Sequence, residues 1–159
     1  MLEYKKHIAA RQYNIFRFLR RFVFAYCYKS FFCPSSLRIR LLRLCGVHIG
    51  RDCFVGQFVL FDDLYPQNIF IGDGTSITAG TKILTHFKDT DTGRFEVGEI
   101  HIGSHCFIGM NTLFTKPVHI GDYTVVGGGA VVTKDLPERT VCAGVPCRVI
   151  KKLEREEVL

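Results

Sequence analysis

The chain has 159 residues, of which 47% are apolar and 23% charged, so it is large enough for one domain with a buried core and too apolar to remain disordered. Its seven cysteines, with no CxxC pair and no even framework of spacings, are typical of free thiols in a reducing compartment, and we expect a cytoplasmic location. The formal charge of +6 arises in residues 1–46, where ten Lys or Arg accompany one acidic residue, and no base-reading motif goes with it, so no nucleic-acid partner is expected.

The N-terminal segment, residues 1–46, has the pattern of two basic amphipathic helices. Between residues 3 and 30 apolar side chains recur at helical spacing and leave arginines on another face. Pro34 interrupts this pattern, and residues 37–45 predict a second short helix that ends at Gly46. The apolar stretch at residues 22–28 is too short for a membrane-spanning helix, and no cleavage site of a signal peptide follows it.

Large apolar residues recur every six positions after residue 47, and this is the most informative pattern in the sequence. The series consists of Ile49, Val55 and Phe61, then Ile71, Ile77 and Ile83, and then Ile102, Ile108, Phe114, Ile120, Val126 and Val132. Glycine directly follows many of these residues, and a small or β-branched residue often lies four positions after them. The alternation of a β-sandwich strand would not maintain a six-residue period with glycine in phase.

Such hexads predict a three-sided solenoid. Each hexad would form one short strand and one corner, with the large apolar side chain inside and the glycine allowing the backbone to bend beside it. Three hexads make one coil, and each coil takes the edge hydrogen bonds of the previous one. We expect the solenoid to cover residues 47–150, an excursion at residues 86–99 to protrude from one corner, and residues 151–159 to form a C-terminal helical tail.

The sequence resembles the hexapeptide-repeat acyltransferases, especially the sugar and polysaccharide O-acetyltransferases and the galactoside and maltose acetyltransferases. The resemblance is carried by ILTH at 83–86, IGSHCFIGMNT at 102–112 and VVGGGAVVTKDLPERTVCAGVPCRVIKK at 125–152. It implies an all-β fold, a left-handed parallel β-helix with N-terminal helices and a short C-terminal helix. It also implies a homotrimer with active sites between subunits, and transfer of the acetyl group of acetyl-CoA to a hydroxyl of a sugar or polysaccharide precursor, with no metal and no covalent intermediate.

The resemblance further implies roles for individual residues. His86 lies where the repeat gives way to the excursion, which is where the family places its general base, and histidine suits this role because its pKa is near neutrality. Candidate acceptor contacts are Asp62 and Asp63, with Asp89, Asp91 and Arg94 in the excursion. The residues expected to bind coenzyme A, with the cations towards its phosphates, are Met110, Gly128, Thr133, Lys134, Arg148 and Lys151.

Three other functions remain open at this stage. An amino-sugar N-acetyltransferase would use the same scaffold and base. A γ-type zinc carbonic anhydrase shares the solenoid and would need three histidines, for which His86, His101 and His105 are candidates, although the AGVPCRVI ending has no role there. A non-catalytic β-helix scaffold would need neither His86 nor the cationic C-terminal end. The exposed strand positions of His48, His101 and His119, and the corner position of His105, favour surface or interface roles for these histidines.

The N-terminal helices have two interpretations. They would cap the first coil of the solenoid, which otherwise exposes its apolar interior and open strand edges. Alternatively, residues 1–46 would rest on an anionic inner membrane leaflet as a peripheral contact. We prefer capping because it requires no additional partner.

Overall fold

The computed structural model describes residues 15–30, 32–88 and 93–154. Two helices come first, α1 (Ile15–Lys29) and α2 (Ser35–Leu44), and they confirm both predicted helices over these residues. Residues 3–14 of the first predicted helix lie outside the described residues. The strands of the described part are β1 (His48–Ile49), β2 (Phe54–Val55), β3 (Leu60–Phe61), β4 (Ile69–Ile71), β5 (Ser76–Ile77), β6 (Lys82–Ile83), β7 (His86–Lys88), β8 (Phe95–Val97), β9 (Ile100–Ile102), β10 (Phe107–Ile108), β11 (Leu113–Phe114), β12 (Val118–Ile120), β13 (Val125–Val126), β14 (Val131–Val132), β15 (Thr140–Ala143) and β16 (Arg148–Lys152).

Three sheets form the body of the molecule, and the chain visits them in turn. The first sheet has the order β1-β4-β9-β12, the second β2-β5-β10-β13-β15-β16 and the third β3-β6-β11-β14. Neighbouring strands within them are parallel, except for the antiparallel pair β15 and β16. The register places hexad residues over their equivalents in the next coil, as with Ile49 on Ile71 and Ile108 on Val126. The chain is therefore a stack of coils with three sides, in agreement with the predicted stacking of hexads.

The interior of the coils contains the large apolar residue of each hexad. Ile77, Ile83 and Ile108, for example, have no exposed surface. Buried threonines occupy the small positions at the corners, where their hydroxyls donate to backbone carbonyls, as Thr75 does to the oxygen of Gly103 at 2.7 Å. A Cβ at Gly109 would lie only 2.4 Å from the backbone nitrogen of Gly128, so this corner admits only glycine.

The N-terminal helices pack on the first coil, and their buried residues join the same hydrophobic core as the solenoid. Arginines from these helices bind backbone carbonyls at each of the three corners of that coil. Arg43 donates to Ile49 and Gly50, Arg38 to Val55 and Gly56, and Arg20 to Asp63 and Leu64. At the corners bound by Arg43 and Arg38, the equivalent carbonyls of the second coil accept from the first coil, as Ile71 does from Gly50 and Ile77 from Gly56. These two arginines therefore supply to the first coil the donors that a preceding coil supplies elsewhere. For the described helices this confirms the capping interpretation.

Arg38 is the most buried of these arginines, with 2% of its surface exposed. Its guanidinium donates to four carbonyls, those of Val55 and Gly56 in the first coil and those of Cys27 and Cys33 in the N-terminal segment. The side chain therefore joins both helices and the loop between them to the solenoid. No helix among the described residues combines the length and the apolar character needed to cross a bilayer.

We expect Arg38→Met to lower the free energy of unfolding by about 3 to 5 kcal/mol, because it leaves several buried carbonyls without a donor. Denaturant unfolding at a fixed protein concentration measures this change. The control is Arg40→Met on the exposed side of the same helix, for which we expect a change of about 0.5 kcal/mol or less. Equal effects of the two substitutions would contradict the capping role of Arg38.

The excursion at residues 86–99 leaves the solenoid as a hairpin. Its strands β7 and β8 pair antiparallel in a sheet of their own, with His86 opposite Val97 and Lys88 opposite Phe95. The hairpin begins directly after the third strand of the second coil and returns to the first sheet at β9. It therefore interrupts the solenoid at one corner, as the sequence predicted. Residues 89–92, with the candidates Asp89 and Asp91, lie outside the described residues.

The C-terminal helix predicted from residue 151 is wrong for Lys151 and Lys152. These residues end β16, which turns back and pairs antiparallel with β15. The edge of the last strand of the second sheet would otherwise be open, and pairing with β16 satisfies its backbone groups. The resemblance implied a helix, but this tertiary contact decides the conformation. Residues 155–159 of the predicted tail lie outside the described residues.

Candidate active site

His86 lies at the corner between the third and first sheets, where the chain leaves the second coil to form the hairpin. Its ring is 24% exposed and stands between two aromatic side chains. Phe95 of β8 stacks on it with ring centroids 5.2 Å apart, and Tyr65 of the first coil approaches it edge-on at 6.3 Å. The hairpin and the first coil therefore fix the plane of the imidazole while leaving part of it open to solvent.

Asp62 lies in the preceding coil directly beside His86, and its side chain is fully buried. The carboxylate oxygen Oδ2 is 2.5 Å from Nδ1 of His86 and also accepts from the backbone nitrogen and the hydroxyl of Thr85, at 3.0 and 2.6 Å. The other oxygen, Oδ1, accepts from the backbone nitrogen of Leu64 at 2.9 Å. Because donors surround both oxygens, the carboxylate is held in one orientation towards the imidazole.

These contacts shift the pKa of both groups. Burial by itself raises the pKa of Asp62, but hydrogen bonds from His86, Thr85 and Leu64 outweigh burial and lower the pKa to about 2. The hydrogen bond to Asp62 raises the pKa of His86, against a smaller opposing effect of burial. Asp62 is therefore ionised at neutral pH, and it favours the tautomer of His86 that carries its proton on Nδ1.

This arrangement leaves Nε2 of His86 as the nitrogen that can accept a proton. A neutral imidazole that donates from Nδ1 to a carboxylate presents the Nε2 lone pair and is stabilised when it becomes charged. The pair of His86 and Asp62 is therefore suited to general-base chemistry on a hydroxyl or amine. A neighbouring carboxylate that fixes the tautomer was not identified from the sequence.

Asp62 and Asp63 were predicted to contact the acceptor, but the structure gives both carboxylates other partners. Asp62 has no exposed side-chain surface, because it lies beneath Thr85 and His86, and it is not available to bind a sugar. Asp63 accepts from Nε of Arg21 at 2.7 Å, with one third of its side chain exposed. Arg20 donates to the backbone carbonyl of Asp63, so α1 is attached to the loop that carries Asp62.

The residues predicted to bind coenzyme A fall into three places. Met110 and Gly128 lie together in consecutive coils at the corner between the second and third sheets, where Met110 accepts a hydrogen bond from Gly129 at 2.7 Å. Both are exposed, Met110 by 57%. Thr133 and Lys134 follow β14, at the carboxyl ends of the strands of the third sheet, whereas Met110 and Gly128 precede strands of that sheet.

The corner of Thr133 and Lys134 is the corner of His86. Thr85 follows β6 in the second coil and Thr133 follows β14 in the fourth, so Lys134 and His86 lie about 10 Å apart along the solenoid axis at the usual strand spacing. Arg148 and Lys151 are exposed on β16, the outermost strand of the second sheet. Within one chain, Lys134 thus lies at the same corner of the solenoid as His86, whereas Met110 and Gly128 lie at a different corner.

The other histidines belong to separate stacks. His48, Phe70, His101 and His119 form a ladder on the outside of the first sheet, in which the Phe70 ring stacks on His48 at 4.6 Å and on His101 at 4.5 Å. His105 stacks on Tyr123 at 4.9 Å at a corner. The predicted outward and corner positions are therefore confirmed. Within the part of the chain that the structure describes, no three His, Cys, Asp or Glu side chains are grouped to hold a metal ion.

Comparisons with known proteins identify a matching family, a relative in sequence and relatives in structure. Residues 99–134 match the family described as bacterial transferase hexapeptide (six repeats). Over 113 residues the chain is 34% identical to galactoside O-acetyltransferase of Escherichia coli K12, in an alignment that covers 68% of this chain and 55% of that protein. The chain thus spans little more than half the length of this curated relative.

Two solved structures share the fold over most of the chain. A maltose O-acetyltransferase from Clostridium difficile 630 superposes with a TM-score of 0.67 and 26% identity, covering 87% of both chains. A galactoside acetyltransferase in complex with coenzyme A superposes with a TM-score of 0.67 and 25% identity, covering 89% of this chain and 82% of that one. Both superpositions extend beyond the hexad region of this sequence.

Proposed function

Because this chain is a hexapeptide-repeat protein that resembles the O-acetyltransferases in sequence and fold, we propose that it transfers the acetyl group of acetyl-CoA to a hydroxyl of a sugar or polysaccharide precursor. The observation that carries this proposal is the 2.5 Å contact between Nδ1 of His86 and the buried carboxylate of Asp62. It supplies the base that hydroxyl attack on a thioester requires. The relatives named as galactoside and maltose O-acetyltransferases supply the acceptor class.

In the proposed reaction Nε2 of His86 removes the proton of the acceptor hydroxyl as its oxygen attacks the carbonyl carbon of the thioester. The oxyanion of the tetrahedral intermediate is stabilised by a backbone N–H of a neighbouring coil. The intermediate collapses with cleavage of the carbon–sulfur bond, and the departing thiolate takes the proton from His86. Donor and acceptor are bound together, so no covalent acyl-enzyme forms, and Asp62 stabilises the transient imidazolium.

Coenzyme A would lie along the edges that carry the predicted binding residues. Lys134, Arg148 and Lys151 are exposed cations suited to its phosphates. Met110 and Gly128 would meet the pantetheine arm through backbone groups, and Thr133 would follow it outward. The solved complex of a similar galactoside acetyltransferase with coenzyme A supports this donor.

We further propose a left-handed solenoid that assembles as a cytoplasmic homotrimer with its active sites between subunits. The separation of the predicted site residues supports this assembly, because His86 and Met110 lie at different corners of one chain. A neighbouring subunit that brings its Met110 corner against His86 would complete the site, which is the heterologous contact that closes a three-membered ring.

The alternative functions are weaker on the same observations. An amino-sugar N-acetyltransferase would use the same base and differs only in the acceptor atom. The carbonic anhydrase interpretation needs His86, His101 and His105 to meet at a subunit interface, but the ring of His101 stacks on Phe70 in the ladder and that of His105 stacks on Tyr123. A non-catalytic scaffold would have no use for a buried carboxylate that orients a partly exposed histidine.

The donor half of the proposal is tested by calorimetric titration with acetyl-CoA and with desulfo-CoA, and with a metal assay on the same sample. We expect saturable binding of both ligands, weakened about tenfold in the Arg148→Ala/Lys151→Ala protein because the phosphates lose charged donors. The control is Arg40→Ala, which removes an exposed arginine at the opposite end of the solenoid. Absence of binding by the unmodified protein, or stoichiometric zinc without binding, would overturn the proposed donor.

The acceptor half is tested by mass spectrometry of sugars incubated with the protein and acetyl-CoA. A product heavier by one acetyl group on oxygen supports O-transfer. A product acetylated only on the nitrogen of an amino sugar would move the assignment to the N-transferase.

A further inference from the structure

The outer face of α1 carries a continuous apolar surface that no part of the acetyl-transfer proposal uses. Phe18, Leu19, Phe22 and Tyr26 are exposed by 58, 54, 64 and 47%. Their spacing of three and four residues places them on one side of the helix. The rings of Phe18 and Phe22 contact each other with centroids 5.2 Å apart. We define these four residues as the outer face of α1.

The opposite side of the same helix is already occupied. Phe24 and Cys27 are buried in the core, and Val23 packs against it. Arg20 and Arg21 bind the loop of Asp63. Capping of the solenoid therefore accounts for one side of α1 and leaves the outer face unexplained. Four large exposed apolar side chains in under three helical turns are unusual on a soluble surface.

The charge around the outer face favours an anionic partner. Residues 15–46 contain no acidic side chain. Lys29, which is exposed, lies seven residues after Phe22 and therefore on the same side of the helix. The segment that precedes α1 adds Lys5, Lys6 and Arg11 in sequence. Aromatic side chains beside lysines, with a tyrosine among them, are the composition of a helix that lies in a membrane interface.

We propose that the outer face of α1 is a docking surface for an anionic lipid bilayer. The helix would lie in the plane of the interface, with its phenylalanines among the acyl chains and Lys29 at the headgroups. Its other side keeps its contacts with the first coil, so docking requires no rearrangement of the solenoid. This inference goes beyond acetyl transfer and does not depend on it.

Docking in this orientation would also attach to the membrane the helix that holds the loop of the candidate active site. Arg20 and Arg21 lie within one helical turn of both Phe18 and Phe22, and they bind Asp63, the neighbour of Asp62. The surface and the pair of His86 and Asp62 are therefore connected by a short, hydrogen-bonded path.

Cosedimentation of the full chain with vesicles tests the proposal. We expect the chain to bind vesicles of phosphatidylcholine and phosphatidylglycerol in a 7:3 ratio. Binding to vesicles of phosphatidylcholine alone should be about tenfold weaker, because one or two cations then lose their contacts with anionic headgroups. The Phe18→Ser/Phe22→Ser protein should lose at least about tenfold in partitioning. Size-exclusion chromatography of each protein verifies folding and assembly.

The matched control is Phe54→Ser/Phe107→Ser, which removes two phenylalanines of similar exposure, 49 and 47%, from the outside of the second sheet. We expect this protein to bind the mixed vesicles as the unmodified chain does. Failure of the unmodified chain to bind either vesicle would overturn the proposal. The proposal would also be overturned if the unmodified chain bound no vesicles but formed complexes larger than the proposed trimer, and if Phe18→Ser/Phe22→Ser abolished these larger complexes. A second copy of the chain would then cover the outer face of α1.

Discussion

Replacing His86 by alanine is expected to lower kcat for acetyl transfer by about 10²- to 10⁴-fold, because the acceptor hydroxyl then has no base at its proton. Affinity for acetyl-CoA should change little, since Lys134, Arg148 and Lys151 stay in place. The ring of His86 is partly exposed, so its loss should leave the solenoid folded. Initial rates of acetyl transfer, with calorimetry of acetyl-CoA binding on the same preparation, separate the two effects.

The control for His86→Ala is His119→Ala, which removes an exposed histidine from the ladder of the first sheet. We expect its kcat to stay within a few-fold of the unmodified protein. A His86→Ala protein that folds, assembles and retains full transfer activity would eliminate the proposed mechanism. Strong loss of acetyl-CoA binding in His86→Ala would instead assign the histidine to donor binding.

Asp62→Asn is expected to lower kcat by about 10²- to 10⁴-fold, although Asp62 does not touch the substrate in the proposed reaction. The neutral amide can donate its own N–H to Nδ1 of His86, which would place the imidazole proton on Nε2, the nitrogen that must accept one. The carboxylate also raises the pKa of His86 above its usual 6.5, so activity of the unmodified protein should rise with pH through that raised pKa. In Asp62→Asn the remaining activity should rise at lower pH.

The pKa shifts of His86 and Asp62 also predict how the stability of the protein depends on pH. A His86 pKa that is raised by folding stabilises the protein below about pH 6.5, and this contribution disappears as pH rises through the raised pKa. A lowered Asp62 pKa stabilises the protein above its ordinary value of 3.8, and this contribution disappears as pH falls towards about 2. The stability difference between the unmodified protein and Asp62→Asn should therefore be largest between about pH 4 and 6.5 and decline on either side.

Two measurements verify the assignment of Asp62 as a positioning residue. The pH profile of kcat must shift in Asp62→Asn, because a merely structural loss would scale the profile without moving its midpoint. Asp73→Asn removes an exposed carboxylate that pairs with Arg51 at 3.1 Å, and it should leave both the midpoint and kcat nearly unchanged. An unshifted midpoint in Asp62→Asn would contradict the role of the carboxylate.

The repeat was predictable from the sequence because each hexad contains its own local constraint. Ile77 and Ile108 must face the interior, and Gly109 must bend beside Gly128, whatever the remote parts of the chain do. The point at which this pattern stops was readable in the same way, and the resemblance to the hexapeptide-repeat acyltransferases implied a general base, His86, at that point. These features depend on spacing along the chain, and spacing is what a sequence records.

The contact of Asp62 with His86 was not predictable, because it depends on how coils of unequal length stack. Ile49 and its register partner Ile71 are farther apart in the sequence than Ile102 and its partner Ile120. The additional residues of the first coil leave at the corner after Asp62, in a segment that includes the short helix Pro66–Asn68. Only the folded register shows that Asp62 remains beside Thr85 and His86 despite this insertion.

The basic N-terminal segment shows a related limit. The sequence gives the number of charged residues but does not show which of them form hydrogen bonds within the protein. Arg20, Arg38 and Arg43 bind backbone carbonyls, so much of the local positive charge serves the first coil. The outer face of α1 was equally hidden, because helical spacing alone does not show which of two apolar sides the solenoid covers.

Within the described residues, the contacts at the two ends of the solenoid also bear on how copies of this chain can associate. A stack of coils with bare edges at top and bottom is a template for endless end-to-end growth, since the last coil of one copy matches the first coil of the next. Here arginines occupy the corner carbonyls at one end and the reversed strand β16 covers the second sheet at the other. These contacts occupy backbone groups that an end-to-end partner would need, so we expect lateral contacts, rather than axial growth into filaments, to build an assembly of fixed size.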